Sequence, residues 1–207
     1  MEKRSLISIA GGSGAGKSTI APLLVAQGLN NAFVSEDCFR NANHSLTIEQ
    51  KRAVNHDHPD AIDRELLVHL INELKCGRLV QLPQYSFEIS ERLPETTLVQ
   101  PKRNTVLEGL FLYHFGETNR LTDARIFIDV PEEIRLQRRV LRDITERGRT
   151  EQSVRHQFKR DVAPMHEKFI QPLCDRADLK IDGTMPPTEC VAEITDYLYK
   201  KGIDMTN

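Results

Sequence analysis

Apolar positions in the first third of the chain change period where the chain turns. Leu6, Ile7, Ile9 and Ala10 form a short apolar run at 6–10, and beyond the glycines at 11–16 Ile20, Leu23 and Leu24 recur at helical spacing over 17–27, which ends near Gly28. The pattern predicts strand, loop, helix. A second strand is expected at 32–35. Over 60–76, Ile62, Leu66, Leu67, Leu70, Ile71 and Leu74 lie on one stripe, which predicts a helix stopped by Gly77. Further strands are expected at 105–108 and 125–130, with a helix over 131–145 that has Pro131 at its first position. A last amphipathic helix is expected over 188–199, behind Pro186 and Pro187. Strands alternating with helices predict an α/β fold with an open, mostly parallel sheet flanked by helices.

Residues 78–103 break this rhythm. The stretches 79–82 and 97–99 are β-like, whereas Pro83, Pro94 and Pro101 preclude a long helix, so an inserted β-hairpin over the sheet edge is expected. Pro22 sits inside the first predicted helix, where it forfeits a backbone bond and predicts a bend. The segment from Arg135 to Arg149 is too rich in arginine to enter a core without anionic partners.

The length of 207 residues fits one domain over 1–207, and 39% hydrophobic residues suffice for a core. A formal charge of −2 argues against a nonspecific nucleic-acid binder. No apolar run reaches the roughly 18 residues of a membrane span, and the start at 1–5 leads into too few apolar residues for a signal peptide, so a cytoplasmic protein is expected. Cys38, Cys76, Cys174 and Cys190 are scattered, as free thiols in a reducing compartment are.

Gly11, Gly12, Ser13, Gly14, Ala15, Gly16, Lys17, Ser18 and Thr19 contain the spacing Gly-x-x-x-x-Gly-Lys-Ser between a predicted strand and a predicted helix. That is the phosphate-binding loop of the P-loop NTPase fold. Glycines let backbone N–H groups converge on phosphate oxygens at a helix N-terminus, Lys17 adds a point charge, and Ser18 offers a hydroxyl to Mg²⁺. Guanine-recognition and transporter signatures are missing, and the chain is short for a motor, which moves small-molecule phosphotransfer forward. Asp37 follows the second strand and Glu108 ends the third, and the carboxyl ends of parallel strands are where such sheets bind ligands. Asp37 is a candidate general base or a helix cap; Glu108 is a candidate metal-shell or structural carboxylate. His56 and His58 flank Asp57 as polar loop residues or as two ligands lacking further partners.

The sequence resembles the uridine kinase and phosphoribulokinase family through most of its length. The carrying segments, in order, are 11–19 (GGSGAGKST), 36–40 (EDCFR), 55–63 (NHDHPDAID), 82–87 (LPQYSF), 107–110 (LEGL), 135–149 (RLQRRVLRDITERGR) and 163–178 (APMHEKFIQPLCDRAD). The resemblance implies that Asp37 accepts the proton of a ribose 5′-hydroxyl, that Asp57 binds the ribose diol, and that Tyr85 and Phe87 lie on the base. It further implies a phosphate-clamping lid at 135–150. There Arg139 and Arg142 face the donor, Arg142 and Arg147 the transferred group, Arg147 and Arg149 the acceptor, while Gln157 touches the nucleoside. ATP and Mg²⁺ are the implied cofactors, the partner is a small-molecule substrate, and family members often assemble into homo-oligomers.

Departures from the family gather at base recognition. Cys38-Phe39-Arg40 stands where the family has Ser-Phe-Tyr, and Ser86 and Ser90 replace its aspartate and histidine. The leading expectation is phosphorylation of uridine or cytidine. The alternatives are a same-family kinase for another hydroxyl acceptor (nicotinamide riboside, a sugar phosphate, a pantothenate-like alcohol) and a nucleotide-binding regulatory module with little turnover.

Overall fold

The computed structural model describes residues 4–47, 50–51 and 54–206; the first three positions of the chain start considered above lie outside the described residues. Five parallel strands, β1 (Ser5–Gly11), β2 (Asn31–Ser35), β5 (Asn104–Gly109), β6 (Ala124–Asp129) and β7 (Leu179–Asp182), form one sheet in the order β2-β5-β1-β6-β7. β1 is central and apolar on both sides, as a strand covered on both faces must be. Leu6 and Ala10 enter one core with Phe39, Leu67, Ile71 and Phe111, while Ile7 and Ile9 enter the other with Leu24, Ile194 and Leu198. Each of the leucine, isoleucine and phenylalanine side chains, fully withdrawn from water, contributes about 1.5–3 kcal/mol.

Helices α1 (Lys17–Val25) and α8 (Pro187–Lys200) cover the second face, and α2 (Arg64–Lys75) covers the first. A short α3 (Gly116–Leu121) follows β5, and α4 (Glu132–Arg147) follows β6. The helix expected from residue 60 starts later. Pro59–Ala61 is a single 3₁₀ turn, Ile62 is extended and bridges to Arg40, and Asp63 caps α2 by accepting from Leu66 N at 3.1 Å. Pro131 is likewise the cap of α4 rather than its first residue. Leu23, expected on the buried stripe of α1, is 39% exposed. Pro22 does lie within α1, with its ring exposed, and the carbonyl it deprives of a partner belongs to exposed Ser18, where water can serve it.

The insert is a two-stranded antiparallel hairpin, β3 (Val80–Ser86) and β4 (Glu91–Val99), longer than the expected strands. Pairing runs Pro83↔Thr96 and then Gln84↔Leu93, so Pro94 falls in the irregularity and needs no ladder partner. Val80 and Leu82 pack with Phe39 and the apolar face of α2, which anchors the hairpin beside β2.

Two features were not expected. Residues 151–174 are one helical run, α5 (Glu151–Gln157), a π-helical turn Phe158–Val162, α6 (Ala163–Met165), a second π-helical turn His166–Ile170, and α7 (Gln171–Cys174). Pro164 and Pro172 each fall in the first positions after a π turn, where a missing N–H is tolerated. β7 escaped notice because this four-residue edge strand buries only Ile181 fully.

Candidate active site

The loop from Gly11 to Gly16 leaves the central strand and delivers its backbone to the N-terminus of α1. Gly14 (φ 84°) lies in left-handed territory, and a Cβ there would run into the backbone carbonyl of Arg135. Gly16 (φ 93°) caps α1, and Ala15 N donates to Gly12 O at 3.0 Å to close the loop's first turn. Lys17 Nζ donates to Gly12 O at 3.1 Å, folding its ammonium back over the loop. Burial lowers its pKa, and Glu108, Asp37 and Glu36 counter that shift. Ser18 and Thr19 are exposed on the first turn.

Ser35, the last residue of β2, joins two carboxylates. Its hydroxyl donates to Glu108 Oε1 at 2.5 Å and accepts from Asp37 N at 3.3 Å, capping the 3₁₀ turn Glu36–Phe39 that presents Asp37. Glu108 is buried, which raises its pKa; Lys17 pulls it back and Asp37 pushes it further up. Burial also pushes Asp37 up, but Arg40, with Arg147 and Lys17, outweighs it and holds the carboxyl below its ordinary value. The Glu36 carboxylate is taken up by the backbone that follows β5. It accepts from Leu110 N at 2.6 Å and Phe111 N at 3.0 Å, and burial lifts its pKa to about 7.

The arginines of α4 do find anionic partners. Arg139 is buried against Asp57 at 3.3 Å and donates to Ser13 Oγ at 2.9 Å and Gln157 Oε1 at 3.2 Å; Arg149 shares that Gln157 oxygen. Asp57, assigned by resemblance to the ribose diol, is therefore held by an arginine reaching the phosphate loop. Asp143, wholly buried, gathers Arg142 at 2.8 Å, Arg147 and Arg149 at 3.5 Å, and Arg139 at 3.7 Å. Arg147 also lies over the Phe87 ring, 4.0 Å from its centre, and burial, then Arg142, lowers its pKa to about 10. Tyr85 and Phe87 meet edge to face at 5.3 Å.

The structure thus brings Lys17, Asp37, Glu108, Arg142 and Arg147 to one end of the parallel sheet, with Arg139, Asp57, Gln157 and Arg149 beside them. A Mg²⁺ ion suits this chemistry: the neighbouring Asp37 raises the pKa of buried Glu108, as unneutralised carboxylates do, and Ser35 engages one Glu108 oxygen. Ser18 and Glu108 are the residues that would hold Mg²⁺ here, together with substrate phosphates; among the described residues no group of three or more His, Cys, Asp or Glu side chains forms a metal cage.

The model of the Phosphoribulokinase / Uridine kinase family matches residues 6–189. The chain belongs to this family. Family membership makes it a small-molecule phosphotransferase. The uridine kinase of Macrococcus caseolyticus is 36% identical over 183 residues, covering 87% of this chain and 89% of that protein. The uridine kinase of Aeromonas hydrophila subsp. hydrophila is 41% identical over 180 residues, covering 84% of each. In fold, the chain is similar to a putative fructose transport system kinase from Silicibacter sp. TM1040, with TM-score 0.71 and 24% identity over 87% of this chain and 91% of that one. It is also similar to a possible uridine kinase from Bacillus stearothermophilus, with TM-score 0.54 and 20% identity over 88% and 90%. No helix among the described residues is long and apolar enough to cross a membrane.

Reading the sequence by itself missed Ser35, Glu36, Arg135, Asp143 and His166. Arg135 and His166 are buried beneath the loop, close enough that a Cβ at Gly12 would lie 2.8 Å from Arg135 Nη1 and 2.9 Å from His166 Nδ1. Burial, then Arg135, brings the His166 pKa down to about 4, so its imidazole is neutral at pH 7. Nothing in a linear reading marks such packing partners. The one available signal was Asp143 itself, an acid set among arginines.

Proposed function

We propose that the protein transfers the γ-phosphoryl group of ATP to the 5′-hydroxyl of a pyrimidine ribonucleoside, uridine or cytidine, giving the monophosphate and ADP. The reading is carried by Lys17 of the phosphate loop facing the carboxylates of Asp37 and Glu108, in a chain whose curated relatives are named uridine kinases.

The loop N–H groups and Lys17 hold the donor's β and γ phosphates at the positive end of α1. Mg²⁺, when bound near Ser18 and Glu108, supplies charge neutralisation between those phosphates. Asp37 orients the acceptor hydroxyl in line with the γ phosphorus and takes its proton as the new O–P bond forms. Arg40 occupies Oδ1 of Asp37 through Nε at 2.8 Å and Nη2 at 2.7 Å, which leaves Oδ2 for that hydroxyl. Asp57 binds the ribose diol, Tyr85 and Phe87 flank the base, and Gln157 supports the acceptor side through Arg139 and Arg149. The segment 135–150 acts as a lid whose Arg142 and Arg147 stabilise the charge spread over the transferring group.

The test is acceptor-dependent ADP release from Mg²⁺-ATP, run with uridine, cytidine, other ribosides, pantothenate and sugar phosphates. Pyrimidine-nucleoside turnover that disappears in Asp37→Asn supports the reading. Turnover only with another acceptor replaces the substrate, and ATP binding with no turnover favours a regulatory module.

A further inference from the structure

Arg40 is fixed from both ends of its side chain and through its backbone. Nε and Nη2 converge on Asp37 Oδ1, and Nη1 donates to the carbonyl of His56 at 2.9 Å. Its own carbonyl accepts from Arg92 at 3.2 and 2.8 Å, Arg92 is paired with Asp63 at 3.2 Å, and the backbone bridges to Ile62. The residue is 8% exposed. A guanidinium carries five N–H donors and no acceptor, so the three contacts to Asp37 and His56 leave two N–H groups without a hydrogen-bond partner among the described residues.

Arg40 stands between the groups that the nucleoside reading assigns to the two ends of the acceptor, Asp37 on one side and the Tyr85–Phe87 pair on the other. The guanidinium carbon stands 5.8 Å from the ring centres of both Tyr85 and Phe87, and its Nη2 lies 2.7 Å from Asp37 Oδ1, so an acceptor that spans the aromatic pair and the base lies beside it. Three other polar side chains nearby are already engaged. Ser86 Oγ accepts from Ile89 N inside the hairpin turn, Ser90 pairs with the Tyr85 phenol, and Arg147 covers Phe87.

We infer that Arg40 is a specificity-determining residue that reads the acceptor's base through two adjacent hydrogen-bond acceptors and selects cytidine over uridine. This rests on the nucleoside reading above. Cytosine presents O2 and an unprotonated N3 side by side, a match for two N–H donors. Uracil presents N3–H between two carbonyls, so one Arg40 donor meets another donor. An edge with the wrong polarity against a buried donor is rejected more strongly than one that merely loses contact area. A carboxylate or phosphate would also offer paired acceptors, but Asp37 touches Arg40 and Asp57 acts on it electrostatically, so the cation is already matched and a neutral edge suits it better.

The experiment compares kcat/KM at saturating Mg²⁺-ATP for cytidine, uridine and 3-deazacytidine, which carries C–H in place of N3, in the wild type and Arg40→Gln. Glutamine both donates and accepts, so it can pair with either base edge. In the wild type, cytidine exceeds uridine by about 10-fold or more, and 3-deazacytidine falls towards uridine. In Arg40→Gln both nucleosides slow, because Asp37 loses its partner, and the cytidine-to-uridine ratio drops to near unity. A wild-type ratio of one or below, a ratio unchanged in the variant, or full activity with 3-deazacytidine overturns the inference while leaving nucleoside phosphorylation intact. D-Glycerate and a sugar phosphate form the anionic arm, and preference for either over cytidine also overturns it. Silence with every nucleoside removes the functional reading itself.

Discussion

Asp143 is wholly buried and receives Arg142 at 2.8 Å, at the centre of a set of guanidinium groups that includes Arg139, Arg147 and Arg149. The carboxylate holds these like charges together inside the fold. Asp143→Asn leaves those cations facing one another and is expected to cost about 3 kcal/mol or more of stability, read as a lower thermal midpoint. ATP at saturating concentration recovers part of that loss by supplying the missing negative charge. A midpoint equal to the wild type's would show that the arginines need no internal counter-ion.

With Asp37 as the proposed base, Asp37 and Arg40 together are expected to set the acid side of the pH–rate profile. Arg40 and its neighbours hold Asp37 below its ordinary carboxyl value, so the base stays ionised, and activity persists, below the pH at which a free carboxylate protonates. In Arg40→Gln the acid limb of kcat moves to higher pH. Asp37→Asn lowers kcat by about 10²–10⁴-fold while ATP binding, followed by calorimetry, changes little. An acid limb that stays in place in Arg40→Gln would show that Asp37 is not the titrating group.

Glu36 makes stability fall with rising pH. Its carboxyl titrates at 4.5 when free and at about 7 in the fold, so between these values the native chain holds a proton that the unfolded chain has lost. This contribution is fully present below pH 4.5 and gone above pH 7, a change of about 3 kcal/mol. Glu36→Gln can still accept from Leu110 N and Phe111 N through its amide oxygen and cannot ionise. It flattens the pH dependence of the denaturation midpoint across that window, and a curve with the wild-type slope would assign the effect to another group.

Pro22 is exposed within α1, where it lacks the N–H that would serve the Ser18 carbonyl. Pro22→Ala supplies that bond and removes the clash with the preceding turn, and is expected to stabilise the protein by about 1–3 kcal/mol. Circular dichroism during urea unfolding measures it directly. No gain would mean that the Ser18 carbonyl is already satisfied and that Pro22 costs the helix nothing.

The sequence by itself determined the parts whose causes are local. The glycine spacing ahead of Lys17 dictates a phosphate cradle because backbone freedom and the following helix are written in adjacent residues, and the apolar period marked β1, β2, β5, β6 and the body of α2. Asp37 and Glu108 were legible because carboxyl ends of parallel strands converge wherever such a sheet forms. Only the tertiary structure decided what each charge faces. Arg139 meets Asp57 across 82 positions and Ser13 across 126, and Ser35 meets Glu108 across 73. No periodicity encodes such pairings. They follow from the order β2-β5-β1-β6-β7, which places distant strand ends side by side, and from burial, which turns a nearby opposite charge into an obligatory partner. The short β7 and the proline-containing helical run were hidden for the same reason, since an edge position and two π turns meet requirements that the local sequence does not state.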